Sequence, residues 1–165
     1  MYQIGDQVVY GIHGVCSVVD QENRVIDKKT VTYLILEPVG QDDSRYLVPT
    51  HNAAAMGKLR KMLSVEELEA MLQSQEVHSD HWIKDENLRK QAYRDLIGSG
   101  NCSKLMGMVH SLYAHKKTQT ELGRKCHLCD ENFLRDTEKL LIGEISIVMN
   151  MEPAEAKAFL KEKLA

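Results

Sequence analysis

The chain changes its hydrophobic period once, and that change decides what it can fold into. Up to Pro49 the apolar residues come in short, β-branched runs broken by glycine and charged clusters; after it they recur every three or four residues. A period of two suits a half-buried strand and a period of 3.6 suits a helix, and a segment patterned for one does not settle as the other. The pattern therefore predicts an α+β protein of two domains: a small β module first, a helical bundle second. Its 165 residues are enough for one or two domains with a real core.

The β half reads as a series of short strands. Gln7-Val-Val-Tyr10 ends at Gly11 and Gly14, and Val15-Cys-Ser-Val-Val19 resumes the sheet. Val25-Ile26 extends it to the charged cluster Asp27-Lys-Lys29. Thr30-Val-Thr-Tyr-Leu-Ile-Leu36 is the clearest strand, dense in β-branched and aromatic residues. Gly40 to Ser44 reads as a turn, and Arg45-Tyr-Leu-Val48 is a last strand stopped by Pro49. Several short antiparallel strands in about fifty residues predict a small, strongly bent barrel of the Tudor or SH3 kind.

Beyond Pro49 the signals are helical. Thr50 is placed to cap a short turn over His51-Asn-Ala-Ala-Ala55. Ser64-Val-Glu-Glu67 is a capping box for a helix to about Gln73, with Val65, Leu68 and Leu72 on one face. Polar Ser74 to Ser79 reads as a linker. Residues 1–63 then form the β domain, 64–79 a helix and linker, and 80–165 the helical domain. Within the last, a helix from about Asp85 to Ile97 stops at Gly98, with Leu88, Ala92 and Leu96 facing inward and Arg89, Lys90 and Arg94 outside that stripe. Asn101 caps a helix with Cys102, Leu105, Val109 and Leu112 inside. A helix over Asp130–Met149 is apolar nearly all round in its second half, and Pro153 opens a last helix burying Ala156, Phe159 and Leu160.

Charge is distributed unevenly. The net charge is −3, but His81 to Lys117 carries seven Lys and Arg against three Asp and Glu. Such an excess permits contact with nucleic acid and is equally the charge of an ordinary solvated helix face. No run reaches the roughly 18 apolar residues of a transmembrane helix, and the N-terminus lacks a basic-then-apolar leader. A cytoplasmic protein with reduced thiols is expected, with no membrane association.

Catalytic signatures are missing: there is no Gly-rich phosphate loop, Ser nucleophile elbow or His-Glu-x-x-His. Cys126-His-Leu-Cys129 has the spacing of half a zinc site or a redox pair, but structural zinc takes four ligands and a redox pair wants a βαβ context. A loop between helices is the simpler reading. Neither an enzyme nor a cofactor or metal is expected. The one tryptophan, Trp82, stands at the start of the basic helix. Two readings are open for it: a packed residue of the bundle, or an apolar wedge that unstacks a base step while nearby cations hold phosphates.

The motifs, taken together, resemble a known family. Val8-Val-Tyr-Gly-Ile-His-Gly-Val15, Tyr33-Leu-Ile-Leu36 and Leu47-Val-Pro-Thr-His-Asn-Ala53 follow in order the pattern of the CarD family of bacterial transcription regulators. Ile97-Gly-Ser-Gly100, residues 128–141 and Gly143-Glu144 resemble its helical half. The N-terminal part is also similar to the polymerase-interacting domain of the transcription-repair coupling factor. The resemblance implies a non-enzymatic initiation factor, monomeric when free and nucleoid-associated through RNA polymerase. Its Tudor-like domain would pair an edge strand with the polymerase β subunit. Its helical domain would contact promoter DNA at the upstream edge of the bubble, largely without sequence preference, and stabilise the open complex. Carried over by position, Arg24, Arg45 and Leu47 would face polymerase, and Trp82, Lys84, Arg89, Lys90 and Arg94 would face DNA. Two departures stand out. Leu47 occupies a place where some members have arginine, with Arg45 two residues before it and so on the same strand face. The spacing from Trp82 to Ser99-Gly100 is longer by about one helical turn, which keeps roughly the same helix face. The competing reading is a Tudor-like protein–protein adaptor with no DNA role.

Overall fold

A computed structural model describes residues 2–40 and 43–165. It divides into two compact units, with the boundary between Met62 and Leu63.

The first unit is one antiparallel sheet of five strands. β1 (Gln7–Tyr10), β2 (Val15–Ile26), β3 (Lys29–Pro38), β4 (Tyr46–Pro49) and β5 (Leu59–Lys61) lie in the order β4-β3-β2-β1-β5. Gly11 and Gly14 adopt positive φ (46° and 74°), a backbone that glycine reaches without penalty, and this turns the chain between β1 and β2. β2 and β3 form a long hairpin with Ile26 opposite Lys29, so only Asp27 and Lys28 make the loop. Both have positive φ (51° and 64°), as a two-residue turn matching the strand twist demands. Val8, Cys16, Val18, Leu34, Leu36, Val48 and Leu59 form the core of this unit. The expected turn at Gly40–Ser44 includes residues 41 and 42, which lie outside the described residues.

Three features differ from the sequence expectation. β5 was not anticipated: three residues, Leu-Arg-Lys, carry too little pattern, and pairing with β1 makes them a strand. The sheet is open, because no pairing joins β4 to β5 among the described residues, so the closed barrel is not formed. The cap of the short helix α1 (Ala53–Met56) is Asn52, whose side chain accepts from the Ala55 amide, and not Thr50.

The second unit holds five helices: α2 (Val65–Gln73), α3 (Glu86–Ser99), α4 (Cys102–Glu121), α5 (Leu128–Val148) and α6 (Pro153–Leu164). The capping box at Ser64 and Glu67 is present with both hydrogen bonds, and Asn101 caps α4 through the Lys104 amide. Buried Leu68, Leu72, Leu105, Val109, Leu112, Leu141, Ile145, Ala156 and Leu160 belong to one core. Burying one such leucine is worth about 1.5–3 kcal/mol. The expected linker Ser74–Ser79 is instead part of this unit, because Val77 is fully buried in the same core. Glu144 is also buried, and its carboxylate accepts from the Leu63 amide at 3.1 Å, fixing the start of the unit to α5.

α3 is rotated relative to the expectation. Leu88 is 65% exposed, whereas Arg89 and Tyr93 are buried and Leu96 and Ile97 pack against the core. The helix also runs through Gly98 and ends at Gly100, in the left-handed conformation. The cause is a buried ion pair. Arg89 donates through Nε and Nη2 to the two carboxylate oxygens of Asp130, each at 2.9 Å, with both side chains 3% exposed. Its Nη1 donates to the backbone carbonyls of Ile83 and Lys84 at 3.0 and 3.3 Å. Burial by itself would lower the Arg89 pKa, but the hydrogen bonds and charge of Asp130 raise it, so the guanidinium stays charged.

Removing one partner of such a pair leaves an uncompensated buried charge, whereas replacing both by apolar groups is close to neutral. Asp130→Ala is expected to cost about 3–5 kcal/mol. The double change Arg89→Met, Asp130→Leu is expected to recover most of that loss. Urea denaturation of the two variants and the wild type measures both effects.

Candidate functional site

In the second unit the residues that matter gather around Trp82. The indole lies in the extended segment before α3, and its backbone amide donates to the Asp80 carboxylate at 3.0 Å. The preceding residue is held from two sides. The His81 amide donates to the Ser111 hydroxyl of α4 at 3.1 Å, and its ring Nε2 is 2.6 Å from the Glu76 carbonyl. Gly107 leaves room for this ring: a Cβ there would stand 3.0 Å from His81 Cδ2, a tight contact.

Trp82 itself is half-buried, and two side chains cover its ring. The imidazole of His115, on α4, stacks on it at 3.7 Å between centroids and 15° between planes. The Arg89 guanidinium lies over the ring with Cζ at 4.4 Å from the centroid. A stack that close and that parallel fills its own face of the indole, so the guanidinium takes the other. The charge of Arg89 also interacts with the ring quadrupole, a contact worth about 0.5–2 kcal/mol according to exposure. Trp82 also packs against the core of the helical unit. Beside the indole lies a cleft of about 330 Å³ lined by His78, Asp80, Trp82, His110, Ser111 and His115, among others. The His78 and His110 rings meet edge to face at 4.9 Å.

The expected cations divide. Lys84 and Arg94 are exposed at the surface of the α3 region. Lys90 is partly exposed and pairs with Glu86 one turn earlier at 3.2 Å. Lys90 and Arg94 share one side of α3, being four residues apart. Arg89 does not belong with them: its guanidinium is buried and its donors are occupied by Asp130 and two carbonyls. Its expected role as a phosphate contact is corrected to that of an internal brace. His115 was missed as a partner of Trp82, since thirty-three residues separate them and no local pattern joins them.

In the first unit Arg24, Arg45 and Leu47 come to one face of the sheet. Leu47 is opposite Ile35 and Arg24 is opposite Val31, positions four apart on β3 and therefore on the same side. Arg45, just before β4, is paired with Glu37 at 2.9 Å. Arg24 is paired with Glu22 at 3.2 Å and lies 5.7 Å from the centre of the Tyr33 ring. Leu47 is 38% exposed on β4, an edge strand of the sheet.

Cys126 and Cys129 are free thiols at the start of α5. Cys129 Sγ is 3.7 Å from a Glu86 carboxylate oxygen, and burial, aided by Glu131, raises the Cys126 pKa. Among the described residues no group of three or more His, Cys, Asp and Glu is arranged to hold a metal ion. None of the described helices is long and apolar enough to cross a membrane.

The open sheet, with its edge strand β4 and the exposed face bearing Arg24, Arg45 and Leu47, lies within the part of the chain that matches a family model. Residues 2–63 match the family model described as the CarD-like/TRCF RID domain. That stretch coincides with the first structural unit to within one residue at its C-terminal end. Over its first unit the chain is therefore similar to the CarD-like/TRCF RID domain.

Proposed function

We propose that this protein is a non-enzymatic regulator of transcription initiation. In this reading the first unit docks on the β subunit of RNA polymerase and the second contacts promoter DNA at the upstream edge of the bubble, stabilising the open complex. The observation that carries the DNA half is Trp82: the only tryptophan, half-buried and held by the His115 stack and the Arg89 guanidinium, in the segment that leads into α3 and its surface cations. A wedge has to be rigid, because the work of unstacking a base step is lost if the side chain folds away.

Docking on polymerase calls for an unpaired strand edge, which β4 offers, and side chains beside it to fix the register. Arg24, Arg45 and Leu47 serve that purpose here. The charge-reversed double variant Arg24→Glu, Arg45→Glu is expected to weaken binding to polymerase core in a pull-down. Each reversal also sets a second carboxylate against Glu22 or Glu37. Wild-type binding by a folded double variant would remove both arginines from the interface.

Contact with DNA rests on Lys84, Lys90 and Arg94, since Arg89 is occupied. Three phosphate contacts give a slope of about −3 for log affinity against log salt, and binding to free duplex is expected to be weak and nearly blind to sequence. Fluorescence anisotropy across a salt series measures the slope. Tight, sequence-selective binding to free duplex would point to an operator-binding repressor instead.

Trp82→Ala separates the DNA reading from the adaptor reading. Polymerase binding is expected to be unchanged, because that surface is in the other unit. The lifetime of the open promoter complex is expected to shorten by a factor corresponding to ~1–3 kcal/mol. An unchanged lifetime together with a large fall in melting temperature would make Trp82 a packing residue, as an adaptor with no DNA role requires.

A further inference from the structure

We propose that His115 is a positioning residue for Trp82: together with Arg89 it clamps the indole so that the ring meets its partner by the edge, as a blade, and not by a face. This rests on the reading of Trp82 as the DNA contact. The geometry has three parts. The stack of His115 on the indole is nearly parallel, at 3.7 Å and 15°. The opposite face carries the Arg89 guanidinium, itself locked by Asp130 and by the carbonyls of Ile83 and Lys84. The segment entering Trp82 is pinned by Ser111 and Glu76 through His81. A base seeking to stack on Trp82 would have to displace one of the two covers, whereas insertion of the edge between base steps disturbs neither. Ordering the ring during folding also spares that entropy cost at the moment of binding.

The two covers are not equivalent. Arg89 is charged at every accessible pH, whereas a histidine changes charge near neutrality. The side-chain nitrogen of Gln119 lies 3.4 Å from His115 Nε2, and with the amide donating, that ring nitrogen is the unprotonated one. Asp80 lines the cleft beside it, Arg89 faces it from α3, His110 from its own helix, and His127 and Asp130 from the start of α5. Burial lowers the His115 pKa below 6.5; Asp130 opposes this, and Arg89 and His127 add to it. The sign follows. With the folded value below the unfolded one, the neutral clamp is complete above about pH 6.5 and is lost as pH falls through that value toward the lower folded one.

The test uses the full-length protein with three variants, His115→Ala, His115→Phe and Trp82→Ala. Because Trp82 is the only tryptophan, quenching of its emission by acrylamide reports ring exposure directly. Wild type is expected to be shielded at about pH 8 and to become accessible toward about pH 5. His115→Phe restores a stack that does not titrate, so it is expected to stay shielded throughout, and His115→Ala to be accessible throughout. With polymerase holoenzyme and promoter DNA at neutral pH, His115→Ala is expected to shorten the open-complex lifetime roughly three- to tenfold, the scale of one aromatic pair, and His115→Phe to leave it unchanged. A merely structural histidine would lower the melting temperature without this pH profile or its removal by phenylalanine. Wild-type quenching in His115→Ala overturns the clamp. Quenching that follows the expected pattern, with open-complex lifetimes equal in wild type, Trp82→Ala and His115→Ala, overturns the DNA reading instead, and with it the positioning role.

Discussion

The buried pair of Arg89 and Asp130 organises the helical unit. Two opposite charges taken out of water repay their desolvation only when the geometry is good and the remaining donors are satisfied. Both conditions are met. The guanidinium fork matches the carboxylate oxygen for oxygen, and its third nitrogen reaches two backbone carbonyls. The consequences spread outward. α3 must turn Arg89 inward, so Leu88 is left in solvent. Ile83 and Lys84 are drawn in by their carbonyls, and Trp82, next in the chain, is brought against the guanidinium and under His115. Tyr93, one turn along α3, is buried beside the pair, and its pKa is pushed up to about 12, chiefly by burial.

The two units present different kinds of surface. The β unit exposes an edge strand and a charged strand face, and its arginines are held by short-range pairs with Glu22 and Glu37 at the surface. Pairs of that kind are worth little to stability, so they are available for exchange with a partner's carboxylates at small cost. The helical unit instead spends a buried ion pair, a glycine beneath His81 and a histidine stack on holding one aromatic ring. A strand edge recognises backbone, which every partner chain has; a fixed indole edge recognises an opening of a given shape. In the function proposed above, one domain would grip polymerase and the other would insert a wedge, a division of work along those lines.

Local patterns carried much of this. The change of period near Pro49, the Ser64 capping box, the Asn101 cap and the stripe of Cys102, Leu105, Val109 and Leu112 were all legible, because each depends on residues within a turn or two of one another. Trp82 and the surface cations Lys84, Lys90 and Arg94 were legible by residue type. The buried face of α3 was not. Leu88, Ala92 and Leu96 form a proper apolar stripe, and hydrophobicity alone selects it over a face containing an arginine. Only an acid forty-one residues away makes Arg89 an interior residue.

The sequence by itself therefore determined the class of the fold, most of the helices and the surface position of Lys84, Lys90 and Arg94, since these follow from period, caps and composition. Tertiary structure alone decided which way α3 faces, that Leu59–Lys61 is a strand, that Val77 lies in a core and that the sheet stays open. It also decided the setting of Trp82 between Arg89 and His115. Each of these turns on a partner distant in the chain, and the energy of a buried charge or a ring stack exists only once the partners have met.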